Sequence, residues 1–160
     1  MPSDAALRQH VLNQLDARQA HATFDTIIAD LPPDRRGQRP AGLPYSPWEL
    51  LEHLRLAQHD ILDFCQNPEY EQDDWPEDYW PDTAAPPDED AWTASVDAFR
   101  RDLDAMKALV RDPATDLFAE IPHGDGQTVH REALLVADHN AYHLGQLVTA
   151  RRLLDCWPPA

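Results

Sequence analysis

The sequence predicts an all-α protein built as a four-helix bundle. Three observations predict it. Four segments carry apolar residues at helical spacing. No segment shows a convincing strand alternation. The two long connections are rich in Pro and Gly or in acids and aromatics, which breaks the chain between helices. A length of 160 residues fits one domain over 1–160 with a sizeable core.

The first helix is expected over residues 3–31. Leu7, Val11 and Leu15 share one face, and Phe24, Ile28 and Leu31 share another. The stripe drifts, which places a bend near Arg18–His21. The second helix opens at "SPWE". Ser46 is the N-cap, Pro47 fits the first helical position and Glu49 completes a capping box. It runs to about Gln66, with Leu50, Leu51, Leu54, Ala57, Ile61, Leu62, Phe64 and Cys65 on one broad arc.

The third helix, about 88–111, follows "PPDED", which stops the preceding chain and sets acids at a helix N-terminus. Trp92, Val96, Phe99, Leu103, Met106 and Val110 form its core stripe. The fourth runs from about Thr128 to Leu154 and ends before "CWPP". Before it, "LFAEIPHGDGQTV" with its "GDG" turn signal suggests a small hairpin. "HGDG" is not a phosphate loop, because no Lys and Ser or Thr follow it in register.

The connection at 32–45 is Pro- and Gly-rich; that at 67–87 is longer, acidic and aromatic. A disordered acidic tract is the plain reading of the second. Tyr70, Trp75, Tyr79 and Trp80 favour an ordered crossover, since they give it apolar surface to dock. A crossover of that length lets successive helices run parallel, which suits a bundle with one long connection.

Charge narrows the function classes. There are 29 acids against 13 bases, a formal net charge of -16. Neutralising phosphates needs clustered Lys and Arg, so nucleic acid is not an expected partner. An anionic membrane surface is disfavoured for the same reason. The N-terminus has neither a basic n-region nor an apolar h-region, and no apolar run reaches the length of a membrane span. Cys65 and Cys156 do not make a disulfide framework and read as small hydrophobes at helix ends. A cytoplasmic, reducing location is expected.

Chemistry enters through histidine. "LLVADHNAYHLGQLV" places His139 and His143 one turn apart, flanking the apolar arc of Val129, Ala133, Val136, Leu147 and Leu154. On the second helix His53 lies at the edge of the arc, beside Ala57 and Phe64. If those helices are neighbours, three imidazoles meet at one point. Such a group suits Zn, Ni, Fe or Cu(II), and three protein ligands leave positions for water or substrate. On spacing alone, an i, i+4 His pair is more often incidental than metal-binding. The HExxH protease motif is absent, because Asn140 stands where its Glu would be.

The other histidines read as solvated or locally satisfied. His59 falls with Glu52 and Asp63 on the solvent face, and His10 and His123 read as exposed. His130 lies on the opposite side from His139, and His21 neighbours Phe24 and Ile28 and could approach the cleft. Glu49, one turn before His53, and Gln146, one turn after His143, are candidates to hold imidazoles by the other nitrogen, with solvated surface polarity as the alternative. Asn140, among apolar residues, should satisfy a buried backbone group or a neighbouring helix.

The order "SPWELLEHLRLAQHDIL", then "WPEDYWP", then "GDGQTVHREALLVADHNAYHLGQLVTARRLL" resembles the DinB-like (DinB/YfiT) superfamily of metalloenzymes, over nearly the whole chain. The resemblance implies an up-down-down-up four-helix bundle. It also implies a single divalent metal held by three histidines, which map to His53, His139 and His143. Some relatives move groups onto or from low-molecular-weight thiols, with the metal activating the thiol.

Three functions follow as expectations. One is a metal-dependent enzyme of the thiol S-transferase type using one divalent transition metal, zinc or nickel first and iron or others after them. Another is a metal-dependent hydrolase. The third is a non-catalytic binding or stress module whose metal stabilises the bundle. The expected partner is a small molecule such as a thiol, and a homodimer is compatible with the reading. Arg55, Arg151 and Arg152 could offset the acidic surface for an anionic thiol, though solvation is the simpler reading of each.

Overall fold

The computed structural model describes residues 2–17 and 20–159. Among these, five α-helices are present and no strand: α1 Pro2–Leu15, α2 Phe24–Ile28, α3 Pro47–Gln66, α4 Glu89–Arg111 and α5 Val129–Leu153. Single 3-10 turns occupy Pro33–Arg35 and Glu77–Tyr79. No helix among the described residues is long and apolar enough to cross a membrane.

The first expected helix is in fact two. Ala17 adopts a positive φ of 54°, a region that ends a right-handed helix. Thr23 then starts α2 afresh, its hydroxyl accepting from Thr26 N at 3.2 Å. The expected bend near Arg18–His21 falls in this break; Arg18 and Gln19 lie outside the described residues. The drift of the apolar stripe was the signature of two helices with different core faces.

The later helices begin where the caps place them. Ser46 accepts from Glu49 N at 3.2 Å and Glu49 accepts from Ser46 N at 2.7 Å, completing the box. Such a cap is worth about 1 kcal/mol. Asp88 and Thr128 cap α4 and α5 by accepting from Ala91 N and Arg131 N. The expected hairpin reduces to one isolated bridge between Glu120 and Thr128, with Ile121 N donating to Gln127 O at 2.8 Å. The turn is present, but the flanking run is too short to pair further.

Two apolar clusters hold the helices. One joins Phe24 and Ile27 of α2, Leu50, Leu51 and Leu54 of α3, Phe99 of α4, and Leu144 and Leu147 of α5. The other joins Val11, Leu12 and Leu15 of α1 to Leu62, Met106, Val110, Ala133 and Val136. Further side-chain contacts tie the helices together. Trp48 meets Trp92, Ser95 Oγ donates to Glu52, and Gln58 donates to the Phe99 carbonyl. Arg8 donates to the Val110 and Thr115 carbonyls at 2.9 and 2.8 Å.

The crossover at 67–87 is ordered, as its aromatic content suggested. Tyr79 is buried, and Tyr70 Oη donates to Asp60 at 2.7 Å. Trp80 stacks on Tyr45 at 4.3 Å. Trp75 alone of the four aromatics stays outside, 63% exposed. A methyl group at Gly37 would lie 2.4 Å from Ala85 Cβ, so the two connections pack directly on each other. The cysteines are half-buried and free. Burial, helped by the Glu132 carboxylate, pushes the Cys65 thiol up to about 12, which keeps it unreactive.

Candidate metal centre

His53 is buried on α3 and faces α5, where His143 is buried and His139 half-buried. His53 Nε2 lies 3.1 Å from His139 Nε2 and 3.2 Å from His143 Nε2. The three expected residues therefore converge, with one ligand atom from each within 4.8 Å of the others.

Proton placement makes this convergence informative. His53 Nδ1 lies 2.8 Å from the Tyr79 carbonyl, which can only accept, so Nδ1 carries the proton. Gln146 Oε1 accepts from His143 Nδ1 at 2.7 Å. Both rings then present bare Nε2 lone pairs to each other at 3.2 Å. Two lone pairs that close repel unless a cation lies between them. Zinc–imidazole bonds of about 2.0–2.1 Å at tetrahedral angles separate neighbouring nitrogens by about 3.3 Å. The donor set and spacing thus fit a divalent transition metal. All three ligands would be neutral, so a bound ion would keep its positive charge.

The electrostatics agree. Burial, then the His143 and His53 rings, hold His139 down to about 4, while the Asn140 side chain pulls the other way. Burial and His53 hold His143 down to about 4, with Gln146 opposing. Burial lowers His53 too, against the Tyr79 carbonyl. His139 and His143 stay neutral well below neutral pH, and burial pushes His53 in the same direction, toward the form a metal needs. Zinc affinity is therefore expected to hold below the ordinary histidine range and to fall as pH drops through about 4, where His139 and His143 protonate. An unperturbed histidine site would weaken from about 6.5. Competition titrations across that range check it; a decline that starts near 6.5 contradicts the burial argument. By the same shifts the unfolded chain protonates first, so the metal-free fold loses stability as pH falls from about 6.5 toward 4.

Several sequence expectations change here. Gln146 does hold His143, but Glu49 does not hold His53. Its carboxylate serves the cap and pairs with Arg39; burial would raise its pKa, yet those bonds hold it low. The group that holds His53 is the Tyr79 backbone carbonyl, which no residue type signals. Trp80, face to face with the His53 ring at 3.9 Å and 2°, fixes the same ring from the side. Tyr142, 64% exposed, stands edge-on to His143 at 4.8 Å. Gln58, buried beside Ala57, was also missed; a polar residue on an apolar arc was its available signal.

The remaining histidines stay apart from the cluster. His59 is exposed and pairs with Asp102 at 3.1 Å. Its expected companion Glu52 is not solvated, being held by Arg55 and Ser95. His10 is exposed, and His123 bonds the Phe64 carbonyl. His130 packs on Phe118. His21 is exposed and turned to the Ala22 carbonyl, away from the site. Arg55 is tied to Glu52, and Arg152 is exposed. Arg151 is fully buried on backbone carbonyls rather than solvated, so it is not free for an anion.

The helical fold and the three-histidine group define a class, helical proteins with clustered imidazoles between two helices that could hold a metal ion. The model of the DinB superfamily matches residues 16–147, and the chain belongs to that superfamily. Compared with curated proteins and with solved structures, the chain has no match.

Proposed function

We propose that His53, His139 and His143 bind one divalent transition metal, zinc or nickel foremost, and that the protein is a metal-dependent enzyme of the thiol S-transferase type. The observation that carries the reading is the convergence of three imidazole Nε2 atoms, two of them with their protons fixed on the far nitrogen. When bound, such a metal supplies positive charge that lowers the pKa of a thiol and makes it a nucleophile near neutral pH. The chain's own residues orient the rings through Tyr79 O and Gln146, and Trp80 closes one side of His53.

The reading includes one domain over 1–160 folded as an up-down-down-up four-helix bundle. The order of contacts supports it. From Trp48–Trp92 to Gln58–Phe99 to His59–Asp102, α3 and α4 advance together. From His53–His143 to Gln58–Asn140, α3 and α5 run opposed. Arg8 with Val110 and Lys107 with Asp16 set α1 against α4. The net charge of -16 supports a soluble small-molecule partner in the cytoplasm rather than nucleic acid or an anionic membrane. With Arg55 and Arg151 already engaged, a weakly charged thiol suits the site better than a strongly anionic one.

Cobalt substitution tests the reading. Addition of small thiols is expected to change the visible spectrum of the cobalt-loaded protein, and His53→Ala is expected to remove that response. An unchanged spectrum across a panel of thiols removes the transferase and leaves hydrolysis or a non-catalytic module.

A further inference from the structure

Two of the three imidazoles are steered by an acceptor on the nitrogen that faces away from the cluster: Tyr79 O for His53 and Gln146 Oε1 for His143. His139 has Nε2 in the cluster, but its Nδ1 meets no well-aligned acceptor among the described residues. The next residue, Asn140, has the complementary deficit. It is buried, and its Oδ1 has no hydrogen-bond partner among the described residues. Buried acceptors are seldom left unpaired, so an orphaned one asks for a donor.

The identity of the free atom is dictated by a chain of three amides. The Phe99 carbonyl can only accept, so the Gln58 amide nitrogen must face it, at 2.7 Å. Gln58 Oε1 must then face Asn140, whose Nδ2 donates to it at 2.9 Å. That leaves Oδ1 as the outward atom of Asn140. The tie spans α4, α3 and α5, so the amide cannot rotate without breaking it.

We propose that Asn140 is the positioning residue of His139: its Oδ1 accepts the His139 Nδ1–H and so keeps Nε2 bare and aimed at the cluster. Gln58 and the Phe99 carbonyl lock the amide in the orientation that makes this acceptor available. The proposal rests on the metal reading of the three histidines. It completes a pattern in which every ring is set by an acceptor, and metal-bound histidines take such partners as a rule. A tie between helices with no bearing on His139 is the competing account.

The test uses the full chain, zinc as the probe, and two variants. Zinc affinity is measured by competition, and the His139 Nδ1–H is followed by proton–nitrogen correlation spectra of the zinc-loaded protein. The unaltered protein is expected to bind zinc and show a slowly exchanging Nδ1–H. Asn140→Ala is expected to bind about 10- to 100-fold more weakly and lose that signal while remaining helical. Asn140→Asp keeps an acceptor oxygen but cannot donate to Gln58, and is expected to retain the signal and bind closer to the unaltered protein. A helix tie alone gives the opposite order, with Asp no better than Ala. Wild-type affinity together with a wild-type signal in Asn140→Ala overturns the proposal. If that variant does not fold, loss of the signal in Asn140→Asp overturns it instead. Absence of zinc uptake by the unaltered protein overturns the metal reading beneath it, a result read without either variant.

Discussion

His139→Ala is expected to take up no zinc at concentrations that saturate the unaltered protein, while its far-UV circular dichroism is expected to stay helical. Among the described residues the group consists of three imidazoles, with no carboxylate or thiol beside them. Removing one leaves two nitrogens, too few to hold the ion against water. The fold does not depend on that ring, because His139 is only half-buried and belongs to neither apolar cluster. Its loss also relieves the crowding of three nitrogens. His59→Ala is the control on the same scaffold. That ring is 61% exposed and pairs with Asp102, so its removal should cost at most about 1 kcal/mol and leave zinc uptake unchanged. Metal titration with circular dichroism reads both variants. Equal loss of zinc in His59→Ala and His139→Ala would overturn the assignment of helix faces on which the site rests.

The legible parts of this site were those carried by side-chain identity and spacing. His139 and His143 differ by one turn and must share a face; His53 lay at the margin of an apolar arc. The Ser46–Glu49 cap was readable because it is a contact between neighbours in sequence. What escaped reading was long-range or made by backbone. The Tyr79 carbonyl comes from the crossover, and any residue there would supply the same oxygen. Glu49 looked right for His53 by spacing, but the cap and Arg39 had prior use of both its oxygens. The split between α1 and α2 includes a left-handed residue, Ala17, among those described, which no propensity favours. Tertiary packing selected it, since it lets Val11 and Leu15 enter one cluster and Phe24 and Ile27 the other.

Arg151→Ala is expected to destabilise the protein by about 3–4 kcal/mol, a large share of the roughly 5–15 kcal/mol that keeps a domain folded. Arg151 has no exposed surface. Its Nη1 donates to the Ile27 carbonyl at 2.5 Å and the Ala29 carbonyl at 2.8 Å, at the C-terminal end of α2. Its Nε and Nη2 donate to the Cys156 carbonyl at 2.9 and 2.7 Å. A helix C-terminus carries unsatisfied carbonyls and partial negative charge, so a guanidinium is the fitting counter-group where no carboxylate is at hand. Truncation leaves three carbonyls without their donor, each worth about 1 kcal/mol or more when buried. It also opens the space beneath Trp157, over which the guanidinium lies at 5.3 Å. The sequence carried a signal for this role: Arg151 follows Leu144 and Leu147 by seven and four residues, on the buried stripe of α5. Arg152, one position on, points to solvent, so Arg152→Ala should change stability by less than about 0.5 kcal/mol. Arg151→Lys keeps the charge but loses the fork that reaches two segments at once, and should fall between them. Denaturant unfolding of the metal-free chains measures all three. Arg151 touches none of the three histidines, so zinc affinity in Arg151→Ala under folding conditions should match the unaltered protein. Equal stability of Arg151→Ala and Arg152→Ala would mean that α2 and the C-terminal turn are held without this side chain.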